Sequence, residues 1–168
     1  MIDRYSEEYA AYRWRVPPDF NIGSWACRRW ASDRDRLALR WEDEAGASAA
    51  LTFHSLQEAA NRLSNALRAL GVGRGDRVAL ILPQRPETVV TYIALFQMGA
   101  IAVPLSFLFG PEALEYRLAN SEARVALADP QTLQNLWPIR GRLPHLAQVI
   151  GVAGARASAT LPDRKSVV

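Results

Sequence analysis

Apolar residues recur at three- and four-residue steps from residue 56: Leu56, Ala59, Ala60, Leu63, Ala66, Leu67 and Leu70. That spacing puts one stripe on one face of a helix. Ser55 with Glu58 predicts a capping box at its start. Gly71 stands where a left-handed residue closes a helix. Short apolar runs then alternate with helical segments. Strands are predicted at 77–82, 100–105, 124–128 and 148–152, and helices at 86–98, 111–121 and 131–140. Pro86 and Glu87 suit a first helical turn, because proline loses no needed donor there and a carboxylate complements the positive helix end. Upstream, 37–41 and 49–53 predict a hairpin around the acidic turn 42–48. Residues 1–36 predict irregular chain with a short helix at 25–31. The alternation of strand and helix with short turns predicts the α/β class: a partial doubly wound parallel sheet with flanking helices and right-handed crossovers. No internal repeat is present.

The charge-free stretch from Val89 to Phe109 is long enough to raise a membrane span. Gly99 and Pro104 interrupt it, Thr91, Gln97 and Ser106 are polar, and no basic anchor stands next to either end. It is read as a buried helix followed by a strand, not a span. The N-terminus mixes charge signs and has no apolar core like that of a secretory signal, so a cytoplasmic protein is expected.

Composition narrows the classes further. The chain has 168 residues, 49% of them hydrophobic, with a formal net charge of +3. That content excludes a mostly disordered chain. One cysteine, Cys27, excludes a disulfide scaffold and a cysteine-based zinc site. His54 and His145 lie far apart, so no metal site is expected. Beside Arg28 and Arg29, Cys27 is read either as an activated thiol or as a residue packed under a helix, with packing preferred. No serine has a positioned histidine, so a hydrolase triad has no support.

Arg28, Arg29, Arg34 and Arg36 with Trp25 and Trp30 resemble a base-stacking patch. Asp33 and Asp35 interrupt it, and a solvated face with no nucleic acid is expected. The turn Gly71-Val72-Gly73-Arg74-Gly75-Asp76 is glycine-rich like a phosphate loop. It follows a helix and opens a strand, the reverse of the order that aims backbone donors at a phosphate, so it is read as a turn. These residues alone yield no catalytic constellation.

Several stretches taken together carry a resemblance. They are Leu51-Thr52-Phe53, Ala60-Asn61-Arg62-Leu63-Ser64-Asn65-Ala66-Leu67, Gly71-Val72 and Gly75-Asp76-Arg77-Val78-Ala79-Leu80. Leu82-Pro83, Pro86-Glu87, Met98-Gly99-Ala100 and Val103-Pro104-Leu105 continue the series. Phe109-Gly110-Pro111-Glu112-Ala113-Leu114-Glu115-Tyr116-Arg117-Leu118 follows. In this order, over about residues 20–150, they resemble the N-terminal region of the adenylate-forming acyl-CoA synthetases. The last stretch looks like the acetate and medium-chain acyl-CoA ligase branch. His54 and Ser55 depart from the Tyr or acidic residue of many relatives.

The resemblance implies a two-step reaction. A carboxylate attacks the α-phosphate of ATP with Mg²⁺, giving acyl-adenylate and pyrophosphate, and the thiol of CoA then displaces AMP. It also implies that the phosphate loop, the adenine and ribose motifs, the hinge and the catalytic lysine of the family belong beyond residue 168. No catalytic residue is therefore carried over, and ATP, Mg²⁺ and CoA are not expected to bind this piece well. Phe109 and Gly110 are the candidate cofactor-binding residues, because the 107–110 loop resembles one near the CoA channel. Leu108 replaces a glycine of that loop. Arg140-Gly141-Arg142 is similar in letters to a CoA-phosphate segment but shifted. Two other functions are kept open: an adenylation region that hands its acyl group to a carrier protein, and a non-catalytic nucleotide-binding or interaction module.

Three regions are expected: 1–36, an N-terminal segment; 37–162, an incomplete AMP-binding-type domain; and 163–168, a non-native tail. Lys165 is the single lysine among 20 basic residues. Asp163-Arg164-Lys165-Ser166-Val167-Val168 back-translates to GATCGGAAGAGCGTCGTG, a common sequencing-adaptor read. A genomic stop here without adaptor sequence would overturn that expectation. An incomplete sheet with uncovered apolar faces is expected to be poorly soluble or molten.

Overall fold

Two adjoining strands buried on both faces organise the molecule. The computed structural model describes residues 3–152. In chain order its elements are α1 (Arg4–Ala11), α2 (Ile22–Ala26), β1 (Leu37–Glu42), β2 (Ser48–Thr52), α3 (Phe53–Ala69) and β3 (Arg77–Ile81). Then come α4 (Pro86–Met98), β4 (Ile101–Pro104), α5 (Pro111–Ser121), β5 (Val125–Ala128), α6 (Pro130–Leu136) and β6 (Gln148–Gly151). Two 3-10 turns lie at Arg28–Trp30 and Trp137–Arg142. Residues 163–168, read above as a foreign tail, lie outside the described residues.

β3 to β6 form a parallel sheet in the order β4-β3-β5-β6. The two-residue period of a strand decides which side chain meets which helix layer. Val78, Leu80, Val125 and Leu127 face a core shared with Leu56, Leu63 and Leu67 of α3 and Leu95 of α4. Ala79, Ile81, Ala126 and Ala128 face the opposite core, with Leu114 and Leu118 of α5, Leu136 of α6, and Ile139 and Leu143. The expected doubly wound half-sheet is therefore present. β1 and β2 pair antiparallel as a separate hairpin.

Boundaries differ from expectation where a side chain competes for backbone donors. α3 begins at Phe53, and its cap is Thr52. Ser55 N donates to Thr52 Oγ1 at 3.2 Å, and Thr52 N donates to Ser55 Oγ at 3.0 Å. Ser55 is thus the inner partner of the box, while Glu58 lies 3.5 Å from His54 Nε2 one turn earlier. The far end is as expected. Gly71 has φ +82°, and the Val72 and Gly71 amides donate back to Leu67 O and Arg68 O. These contacts close a Schellman turn.

The N-terminal segment is more ordered than its sequence suggests. Asp3 caps α1, accepting from Tyr5 N at 3.2 Å. The expected helix at 25–31 instead starts at Ile22, because Asn21 Oδ1 accepts from Ser24 N at 3.0 Å. It ends at Ala26, where Cys27 leaves the helical region, and a 3-10 turn follows. The expected helix at 131–140 stops at Leu136 as an α-helix. Pro138 has no N–H to donate within the helical ladder, and the chain tightens into 3-10 form.

The charge-free stretch divides into α4 and β4, and no helix among the described residues is long and apolar enough to cross a membrane. α4 is apolar on nearly all sides, so it needs cover beyond the sheet. α3 and α2 supply it. The polar group admitted to this interface is Gln97. Its Oε1 accepts from Gln57 Nε2 at 2.7 Å, and its Nε2 donates to Ala60 O at 3.2 Å and to Ser64 Oγ. This pairing explains why Gln57 and Ser64, rather than Ala59 and Ala66, are buried on α3.

Candidate functional site

Open parallel sheets offer a ligand crevice beyond the carboxyl ends of their strands, where neighbouring strands send their connections in opposite directions. Here that point lies between β3 and β5. β3 leads through α4 to β4 on one side, and β5 leads through α6 to β6 on the other. Its rim consists of residues 82–85, 105–110 and 129.

The rim is tied down by hydrogen bonds within the chain. Asp129 accepts from Thr132 N at 2.8 Å as the cap of α6. Arg85 Nε donates to Glu87 Oε2 at 2.7 Å. Trp41 Nε1 donates to Gln84 O at 2.8 Å, pinning the hairpin to the rim.

Phe109 and Gly110 lie on this rim, in the loop from β4 to α5. The Phe109 ring packs with the second core and lies 4.2 Å from the Arg117 guanidinium. Its carbonyl accepts from Asn135 Nδ2 at 3.2 Å. Nothing in the sequence singles out Asn135, because its partner is 26 residues away. Gly110 is the N-cap of α5 and is exposed, and a Cβ there would meet nothing within 4 Å. Contacts among the described residues therefore do not demand a glycine at 110. Leu108 is 79% exposed at the loop tip.

Arg140 and Arg142 are engaged internally. Arg140 donates to Leu143 O and Ala147 O, and Arg142 makes two bonds to Glu115 at 2.7 and 2.6 Å. The bond from Arg142 holds the Glu115 carboxyl below its ordinary range.

The glycine-rich turn 71–76 lies at the opposite, amino end of the sheet. Its Gly73 amide donates to Asp76 Oδ2 at 2.8 Å, and Arg124 lies 3.2 Å from the same oxygen. The chain's own carboxylate occupies the donor that a phosphate would need. In the Arg–Trp segment, the Trp30 ring lies 4.3 Å from the Arg29 guanidinium and 3.8 Å from that of Arg36. This stacking is intramolecular cation–π contact.

Cys27 is fully buried and donates to Phe53 O at 3.6 Å. Burial pushes its thiol pKa up, so the packed reading holds over the activated one. A raised pKa favours the neutral thiol in the fold. Its contribution to stability is present below the unfolded thiol pKa and is lost as pH rises through the folded one. Native Cys27 is expected to react with a disulfide reagent at least about a hundredfold more slowly than in urea. Equal rates would contradict its burial.

His54 Nδ1 lies 3.0 Å from Ala31 O, a structural contact. No cluster of three metal-ligating side chains exists among the described residues.

The geometry is thus a carboxyl-end rim whose charged residues, Arg85 and Asp129, are engaged within the chain. A family model for AMP-binding enzymes matches residues 27–167. The chain belongs to the AMP-binding enzyme family.

It is 38% identical to the acetyl-coenzyme A synthetase of Bacillus subtilis over 128 residues, covering 76% of the chain and 22% of that protein. It is 32% identical to the 3-hydroxypropionyl-coenzyme A synthetase of Sulfurisphaera tokodaii over 149 residues, 88% of the chain and 22% of that protein. The chain therefore spans about a fifth of the length of these curated relatives. Among solved structures it resembles an acyl-CoA synthetase from Brucella canis, with TM-score 0.78 and 28% identity over 96% of this chain and 30% of that one. It also resembles the anthranilate CoA ligase AuaEII in complex with anthranoyl-AMP, with TM-score 0.76 and 28% identity over 88% and 27% of the respective chains.

The described residues of this AMP-binding family member do not fit an Mg²⁺–ATP site. The rim's aspartate caps a helix, and the glycine-rich turn faces the wrong end.

Proposed function

We propose that this chain is the opening part of the large N-terminal domain of an AMP-forming acyl-CoA ligase. The whole enzyme would join a small carboxylic acid to CoA. The carboxylate oxygen bonds to the α-phosphorus of ATP and pyrophosphate leaves. The CoA sulfur then bonds to the acyl carbon and AMP leaves. The observation that carries this reading is the 38% identity to an acetyl-coenzyme A synthetase, in a segment that folds as one half-sheet.

Phe109 and Gly110 would border the channel that admits CoA. Their place on the carboxyl-end rim and the open space over Gly110 support that role. The cytoplasm is the proposed compartment. Nucleic acid is not a proposed partner, since the Arg29 and Arg36 guanidiniums already lie 4.3 and 3.8 Å from the Trp30 ring.

By itself the chain is proposed to be inactive, because adenylation depends on charge positioned for the substrate, and the rim's Arg85 and Asp129 are already engaged within the chain. Pyrophosphate exchange with purified chain, ATP, Mg²⁺ and short-chain acids tests this. A rate at background is expected, and clear acid-dependent exchange would overturn the inactivity. Extending the reading frame from genomic DNA and assaying acyl-CoA formation by the longer protein tests the ligase assignment separately.

A further inference from the structure

The loop from β4 to α5 is held at Phe109 from two helices. Its own turn is closed by Ser106: Phe109 N donates to Ser106 O and Leu108 N to Ser106 Oγ, each at 3.2 Å. On the α5 side, the Arg117 guanidinium lies 4.2 Å from the Phe109 ring, and Arg117 Nη1 donates to Ala113 O at 3.0 Å. On the α6 side, Asn135 Nδ2 donates to Phe109 O at 3.2 Å.

The bond from Asn135 joins two separate connections. β4 and β5 flank β3 in the sheet. The loop continues β4 and α6 continues β5, so Asn135 ties together the segments that leave the strands on either side of β3. Its support is fixed. Asp129 directly follows β5 and caps α6, and Leu133 and Leu136 of the same helix pack into the second core.

The same bond sets a peptide plane. The Phe109 carbonyl and the Gly110 N–H belong to one trans peptide, so they point in opposite directions. With the carbonyl turned to α6, the Gly110 N–H is turned away from it. A half-turn of that plane would exchange the two groups and carry Gly110 from φ −71° to positive φ. Glycine makes that turn at little steric cost, so its own backbone does not hold the plane. Asn135 does.

We propose that Asn135 is a positioning residue for the CoA step, one that locks the Phe109–Gly110 peptide so that the loop presents an N–H, and not a carbonyl oxygen, on the side away from α6. The proposal rests on the reading that Phe109 and Gly110 border the channel for CoA. The amide carbonyls and phosphates of CoA are hydrogen-bond acceptors. A donor on that side suits them, and a carbonyl oxygen there would repel them.

Amide-nitrogen NMR relaxation at residue 110 tests the lock in this chain. Asn135→Ala should show rotation of the plane, as a lowered order parameter or as exchange broadening, beyond that of the unmodified chain. Asn135→Asp keeps the shape of the side chain without the donor and should do the same. Adding Gly110→Ala to either variant should suppress the rotation, because alanine resists positive φ and its Cβ would meet nothing within 4 Å among the described residues. In the longer protein obtained by extending the reading frame, Asn135→Ala should raise the KM for CoA about three- to tenfold, the factor of one ordinary hydrogen bond, and the KM for ATP less than about twofold. Equal rises in both KM values would mean a merely structural role and overturn the proposal. Relaxation at Gly110 that Asn135→Ala does not change also overturns it and leaves the ligase reading intact. A longer protein that forms no acyl-CoA overturns the ligase reading itself, and the assignment of this loop to CoA with it.

Discussion

Replacing Leu67 with alanine is expected to destabilise the fold by about 3–4 kcal/mol, the middle of the range of roughly 2–5 kcal/mol for a large-to-small change at a buried leucine. Leu67 lies in the last turn of α3 and is 0% exposed. It belongs to the core that joins α3 to Val78 and Val125 of the two central strands and to Leu95 of α4. It lies where helix and sheet are both already fixed. Val72, just past the Schellman turn, donates to the Leu67 carbonyl at 3.0 Å. The backbone at 67 is therefore anchored and cannot sink to fill the space. A domain of this kind has roughly 5–15 kcal/mol of total stability, so the loss is a large share of it. Urea unfolding should show a lower midpoint with an unchanged slope. A change below about 1 kcal/mol would mean that α3 is not packed on the sheet as described.

Gly23→Ala is expected to detach the N-terminal layer. A Cβ on Gly23 would lie 2.8 Å from Gln97 N and 2.9 Å from Gln97 Cβ. These are α4 atoms, which cannot rotate away as a side-chain tip can. The added methyl therefore separates α2 from α4. Separation breaks the bonds from Asn21 Nδ2 to Phe96 O and Gln97 O, at 3.0 and 3.4 Å. It also uncovers Cys27, which directly follows α2. The expected cost is about 3 kcal/mol, the upper part of the usual range for overpacking. The characteristic sign is local. Cys27 should become reactive in urea-free buffer before the sheet unfolds, approaching its unfolded rate. A variant with native stability and a slow Cys27 would show that the two helices can part by a few tenths of an ångström at no cost.

The long-range contacts behind both effects are not legible in the sequence. Leu67 stands out in a helical stripe, and its burial could be read directly. Gly23 carries no pattern at all, since its reason is a helix more than seventy residues away. The capping of α3 shows an intermediate case. A box was legible, but a Thr52–Ser55 box and a Ser55–Glu58 box both call on the Ser55 side chain and N–H, and only the extended backbone at Thr52 decides between them. Asn135 and Arg142 show the same limit at the candidate site. Each serves a partner 26 or 27 residues distant, and a polar residue on a short helix announces no such partner.

By itself the sequence determined the element types, the short turns and the apolar runs of β3 and β5. These follow from local forces: helical and strand periodicity, the freedom of Gly71, and the missing N–H of proline. It also carried the family resemblance, through segments in order. Tertiary structure alone decided the order β4-β3-β5-β6, and with it the rim that carries Phe109 and Gly110. It also decided that β4, with Pro104, lies at one end of that order and, among the described residues, β6 at the other. Strand order depends on which distant segments share backbone hydrogen bonds, and no local pattern in the chain encodes that choice.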